Sequence, residues 1–188
     1  MSVKTAVKRL ADLTGLRYEV YALYTAPKDI PQPTLPAGYR FRQVASLAEF
    51  ASAANPIVAA IPSHAEHAED VGFAIEVSGC VVAGCVYSCA PDPWWPIASA
   101  SAKLVHIETD PEHRGKGLAP ALIAYSAASM VQAGHRELYA RIWHSNQPSL
   151  RAFQKAGWSR VAFVVDVGLF GRSVRWVSRL QNGRRRAN

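Results

Sequence analysis

The stretch LVHIETDPEHRGKGLAPALIAYSAASMVQAG, residues 104–134, decides the fold. It opens as a strand, with β-branched and apolar residues as far as Thr109-Asp110-Pro111. It closes as an amphipathic helix carrying Leu118, Ala121, Leu122 and Tyr125, stopped at Gly134. Between the two lies Arg114-Gly115-Lys116-Gly117-Leu118-Ala119. Two glycines here let the backbone take angles closed to other residues, so several amide N–H groups can converge on one anion. The positive end of the helix backs them, and Arg114 and Lys116 add formal charge. A diphosphate is the natural guest. A Rossmann turn is a poorer reading, because no parallel sheet and no acidic residue about 20 positions on accompany it. A Walker loop fails because no Ser or Thr follows a Gly-Lys at the required spacing.

Downstream, a strand over ELYARIW (137–143) leads to a short helix. Asn146 is its expected N-cap, Pro148 lies in its first turn, and Gly157 is its stop. A final hairpin is expected over 158–167 and 172–180, turning at Gly168 and Gly171. The alternation of Val174, Trp176 and Leu180 against Arg175 and Arg179 gives its last strand one wet face. Upstream, GFAIEV and CVVAGCVYS flank Ser78-Gly79 and read as a hairpin. Tyr39–Val44 reads as a first core strand, and Ser46 caps a short helix ended by Asn55-Pro56. Residues 16–24 read as a strand and 3–13 as a weak helix. The proline-rich APKDIPQPTLPAG then reads as a spacer, because proline cannot donate to a ladder. The reading is an α+β domain: a mixed, mostly antiparallel twisted sheet of about seven strands with about four helices. Residues 1–37 are an N-terminal extension, 38–181 the domain and 182–188 a basic tail.

The chain has 188 residues, 49% of them hydrophobic, which suits one core. Its net charge is +7, but six arginines follow Asp166, and without them the charge falls to +1. Arg184–Arg186 read as a solvated tail rather than a nucleic-acid or membrane contact. No apolar run approaches bilayer length, and MSVKTAVKRLADL lacks a signal's apolar block, so a cytoplasmic protein is expected. Cys80, Cys85 and Cys89 have no zinc-knuckle spacing and read as structural thiols. His64, Glu66, His67, Glu69 and Asp70 read as a solvated segment, not a metal site.

Two segments resemble the GNAT superfamily of N-acetyltransferases. Arg114, Gly117 and Ala119 occupy the defined positions of its (Gln/Arg)-x-x-Gly-x-(Gly/Ala) signature. Asn146, Ser149, Phe153, Gly157 and Trp158 follow its second segment, Asn-x-x-(Ala/Ser)-x-x-x-(Tyr/Phe)-x-x-x-Gly-Phe. The resemblance spans roughly residues 39–180. It implies an enzyme that binds acetyl-CoA as co-substrate, without metal, and passes the acetyl group to a primary amine in a ternary complex. Arg114, Gly115, Lys116, Gly117, Leu118 and Ala119 would hold the pyrophosphate. The strand near Thr109 would splay from the next, and amides of Ile107, Glu108 and Thr109 would hold the pantetheine and polarise the thioester. Asn146, Ser149 and Phe153 would flank its arm. Glu108 is the first choice for general base, assisted by His106 or His144. Many relatives place Tyr where this chain has Phe153, so either Ser145, Ser149 or water would protonate the thiolate, or it would leave without a dedicated acid. Pro120 removes one donor after the turn.

Trp94-Trp95, between prolines, would line or lid an acceptor pocket, with a homodimer contact as the alternative. The alternative function is a non-catalytic acyl-CoA-binding or sensing module, argued from Phe153. A nucleic-acid role for the arginine-rich end is a third reading, and no membrane partner is expected.

Overall fold

The structure, a computed structural model, describes residues 17–65, 67, 69–90, 101–169 and 172–179. The expected helix at 3–13, Glu66, Trp94-Trp95 and the 182–188 tail lie outside the described residues. The strands are β1 (Arg17–Thr25), β2 (Tyr39–Gln43), β3 (Val71–Val77), β4 (Cys80–Ser88), β5 (Ser101–Thr109), β6 (Glu137–Trp143), β7 (Ser159–Leu169) and β8 (Arg172–Arg179). The helices are α1 (Pro56–Ala59), α2 (Leu118–Gln132) and α3 (Gln147–Lys155), with short 3-10 turns at Leu47–Ser52, Ile61–His64 and Pro111–His113.

The strands form one eight-stranded sheet in the order β2-β3-β4-β5-β6-β1-β7-β8, one strand more than expected. Only β5 and β6 run parallel; every other neighbouring pair is antiparallel. The β3–β4 hairpin turns through Ser78 (φ +51°) and Gly79 (φ +80°), the two left-handed residues of a type I′ turn. α2 lays Leu118, Leu122 and Met130 on one sheet face with Ile75, Tyr87 and Leu104. The 3-10 turns cover the other face of β3 and β4 with Phe50 and Ile61. Ser46 and Glu49 close a capping box ahead of the first of these turns. Asn55 does not end that element: its side chain caps α1, with Pro56 in the first turn. No helix among the described residues is long and apolar enough to cross a membrane.

Three expectations differ from what forms. Residues 17–25, assigned to an extension, are hydrogen-bonded to β6 on one side and β7 on the other. The prolines that follow do not mark a boundary. They carry the chain from mid-sheet to the β2 edge, a span of about 24 Å at ~4.8 Å per strand. Residues 26–38 reach about 43 Å when extended, and Ile30 and Leu35 pack against the core on the way. Gly168 does not turn; it lies within β7, opposite Arg17 and Ser173. Finally, β8 exposes its apolar residues, with Val174 at 55% and Trp176 at 64%. Its Arg175 is half-buried and paired with Asp166 on β7.

Candidate active site

β5 and β6 pair only from Ser101↔Glu137 to Leu104↔Ala140. β5 then stays with β4 as far as Ala83↔Thr109, while β6 stays with β1 as far as Tyr21↔Trp143. The two strands therefore part. The break coincides with a bulge in β5: Val86 faces His106 and Tyr87 faces Leu104, leaving Val105 as the extra residue. The Asp110 amide reaches the Val82 carbonyl at 2.8 Å. Alternate residues of an antiparallel ladder face the partner, so Glu108 also faces β4, while Ile107 and Thr109 turn their backbone groups to the opening. Thr109 shows this directly, its carbonyl accepting from Arg114 Nε at 3.1 Å. Glu108 thus enters the opening by its side chain and not, as expected, by its amide.

Two clefts meet at the opening. One of about 340 Å³ lies between β5, β6 and β1, lined among others by Tyr21, His106, Glu108, Arg141, Trp143 and Phe153. The other, of about 600 Å³, runs along the glycine turn and α3. Ile107, Glu108, Asn146 and Ser149 line both.

The glycine turn is built as its sequence demands. The Asp110 carboxylate accepts from the Glu112 amide at 3.0 Å and from Asn55 Nδ2 at 3.2 Å, fixing the strand end. Gly115 and Gly117 sit at φ +78° and +79°, a region that favours glycine. A Cβ at either would meet nothing within 4 Å, so the hollow of the turn is open. Gly117 caps α2 without a side-chain bond, and Ala121 makes an intrahelical bond back to it at 3.3 Å. The Leu118 and Ala119 amides are orphan donors of the first turn, and Pro120 has none to give.

The charges around this hollow differ from expectation. Arg114 lines it, but Lys116 does not: its ammonium donates to Tyr39 Oη at 3.0 Å, and that hydroxyl lies 2.9 Å from His113 Nδ1. Arg151 and Lys155 line it instead, from α3. They stand four apart on one helix face, a spacing legible in the sequence once the helix is known to flank the cleft.

Glu108 lies 4.0 Å from His106 Nε2 and 3.8 Å from Arg114. The His106 ring stacks on His64 at 3.7 Å, and burial, then His64, holds its pKa down to about 4. It is neutral at pH 7. His144 is not brought into the site: it lies exposed, its Nδ1 3.2 Å from the Val20 carbonyl, because Trp143 takes the last cleft-lining position of β6. The Asn146 carboxamide accepts from the Ser149 amide at 3.2 Å and caps α3. Phe153 forms cleft wall while packing edge-on against Trp158 at 5.0 Å. Tyr21 was not anticipated. Its hydroxyl donates to Glu19 at 2.6 Å, and burial, reinforced by Glu19, pushes its pKa up to about 12.

Residues 19–158 match the acetyltransferase (GNAT) family. The chain belongs to that family. No curated protein matches it. Its GNAT fold is shared with a GCN5-related N-acetyltransferase from Kribbella flavida (TM-score 0.59, 22% identity, 88% of this chain and 64% of that one). A GCN5-related N-acetyltransferase from Sphaerobacter thermophilus gives TM-score 0.58 at 19% identity, over 94% of this chain and 57% of that one. An aminoglycoside N-acetyltransferase in complex with CoA gives 0.51 at 20%, over 64% of this chain and 92% of that one. This GNAT chain therefore spans less than two thirds of the length of the first two relatives. The family match begins at residue 19 and so takes in most of β1.

Proposed function

We propose that this chain transfers an acetyl group from acetyl-CoA to an amine by direct attack within a ternary complex. The observation that carries the reading is the meeting of two clefts where β5 leaves β6, with the backbone of Ile107 and Thr109 turned toward the junction.

In this reading the larger cleft takes CoA. The amides of Gly115 to Ala119 and the helix end hold the pyrophosphate, with Arg114, Arg151 and Lys155 as its cations. The Ile107 and Thr109 amides hold the pantetheine and stabilise negative charge developing on the thioester oxygen. The smaller cleft takes the amine. Its nitrogen must be neutral to attack, which for a lysine-like amine costs about 4.6 kcal/mol at pH 7. Orientation of two substrates supplies ~7–11 kcal/mol, so an imperfect acid–base set suffices. The nitrogen bonds to the acyl carbon, Glu108 takes a proton from it directly or through water, and the C–S bond breaks. The departing thiolate is protonated by Ser149 or water, since Phe153 has no proton to give.

The test pairs binding with turnover. Arg114→Glu is expected to raise the KM for acetyl-CoA roughly 30-fold or more, the loss of a charge-assisted bond plus repulsion. Glu108→Gln should lower kcat by roughly 10²-fold with acetyl-CoA affinity held. Absence of calorimetric binding at millimolar acetyl-CoA would sink the reading. Phe153 favours a second one, a CoA-sensing module, whose signature is acetyl-CoA binding without thiol release over a broad amine panel.

A further inference from the structure

The smaller cleft holds opposite charges on its two walls. Glu108 projects from β5 and Arg141 from β6, on strands that have separated by that point. Most cations around the sheet are committed: Arg40 and Arg42 to Glu76, Arg175 to Asp166, and Arg114 to the Thr109 carbonyl. Arg141 differs. Among the described residues no carboxylate lies within ion-pair distance of its guanidinium, which stands over the Tyr21 ring, 5.7 Å from its centroid. That ring is held in place by its bond to Glu19 and by Trp143, 4.6 Å away. An aromatic face backs the guanidinium without using its in-plane N–H groups. A half-buried arginine with an idle donor fork, set in a cleft of about 340 Å³, is a receptor for a planar anion.

We propose that the acceptor is an amine that also carries a carboxylate, an amino acid or a molecule ending like one, with Arg141 binding the carboxylate. The proposal rests on the acetyl-transfer reading and deepens it by naming the acceptor class. The amine end then lies toward Glu108 and the thioester, and the carboxylate toward β6. A polycation suits the cleft poorly: Glu108 matches one ammonium group, and each further one meets Arg141 with like charge. This separates the acceptor from the aminoglycosides named for one structural relative.

The experiment measures thiol release from acetyl-CoA with matched acceptors: amino acids, their amides, the decarboxylated amines, phosphoethanolamine and an aminoglycoside. The expected result is at least a tenfold preference in kcat/KM for an amino acid over its amide. Arg141→Gln should raise the KM for the amino acid roughly 10–100-fold, the loss of a charge-assisted contact, and raise that for the amide, which accepts only a neutral bond, several-fold less. Arg141→Lys should restore only part, because an ammonium lacks the fork. Calorimetry with acetyl-CoA should be the same for all three proteins. Equal use of amino acid and amide, a preference for phosphoethanolamine or the aminoglycoside, or an Arg141→Gln ratio matching the parent overturns the acceptor class alone. Failure to bind acetyl-CoA overturns the acetyl-transfer reading itself. Binding without transfer to any member of the panel overturns both.

Discussion

Burial against His64 holds the His106 imidazole near pKa 4, well under the ordinary 6.5, and this has two consequences. Between pH 6.5 and 4 the unfolded chain takes up a proton at this residue that the native protein refuses. Stability therefore falls as pH drops through that window, by about 1–2 kcal/mol once solvent screening is allowed for. His106→Gln should flatten that limb, seen as a smaller drop in urea midpoint between pH 7 and pH 4.5. The second consequence concerns rate. His106 is neutral across pH 5–8, so an inflection in kcat/KM near neutrality belongs to another group and should survive His106→Gln. At this scale the glycine turn was readable because left-handed backbone angles restrict residue type directly. The placement of the Lys116 ammonium was not readable, because its long side chain finds Tyr39, 77 positions away in sequence. Tyr21 and Arg141 gave no local signal; each matters only because of the strand it ends up beside.

Elements announced themselves where one local rule governed them. Ser78-Gly79 between two alternating strands forced a hairpin, and Asn146 with Gly157 bracketed α3. Other positions answered to partners from elsewhere in the chain. Gly72 and Gly84 lie in strand interiors, where glycine usually weakens a ladder. A Cβ at Gly84 would lie 2.3 Å from the Phe50 ring and 2.7 Å from Ile61, and one at Gly72 only 2.5 Å from Val44. The 3-10 layer thus rests directly on bare backbone, which holds the Ile61–His64 turn close enough for His64 to stack on His106. Gly84→Ala must push that layer outward. The expected cost is about 1–3 kcal/mol, measured as a lowered denaturant midpoint, together with a His106 pKa closer to ordinary by NMR titration. β8 shows the opposite limit. Its alternation was read correctly, but which face is covered depends on what packs there, and among the described residues Trp176 stays exposed.

Across the whole molecule, β1, the first strand among the described residues, decides whether the site exists. β1 fills the gap between β6 and β7, with Leu23 and Tyr24 each about 1% exposed. It also supplies Tyr21 to the smaller cleft. Nothing in residues 17–25 announces a central strand, since an aromatic and β-branched run reads the same at an edge or in an extension. Sheet order is set by long-range pairing that spacing alone does not encode. Without β1, β6 and β7 would each present an open edge, and Phe153, whose ring lies 6.1 Å from Tyr24, would lose part of its packing. Two measurements follow from that placement. In native-state hydrogen exchange the β1 amides from Tyr21 to Tyr24 should rank with the most protected in the chain, while those of the β8 edge exchange sooner. A chain starting at residue 26 should fail to give a cooperative thermal transition and should bind no acetyl-CoA. If it instead melted cooperatively with unaltered acetyl-CoA affinity, β1 would be an accessory strand, and the Tyr21-backed orientation of Arg141 would lose its structural basis.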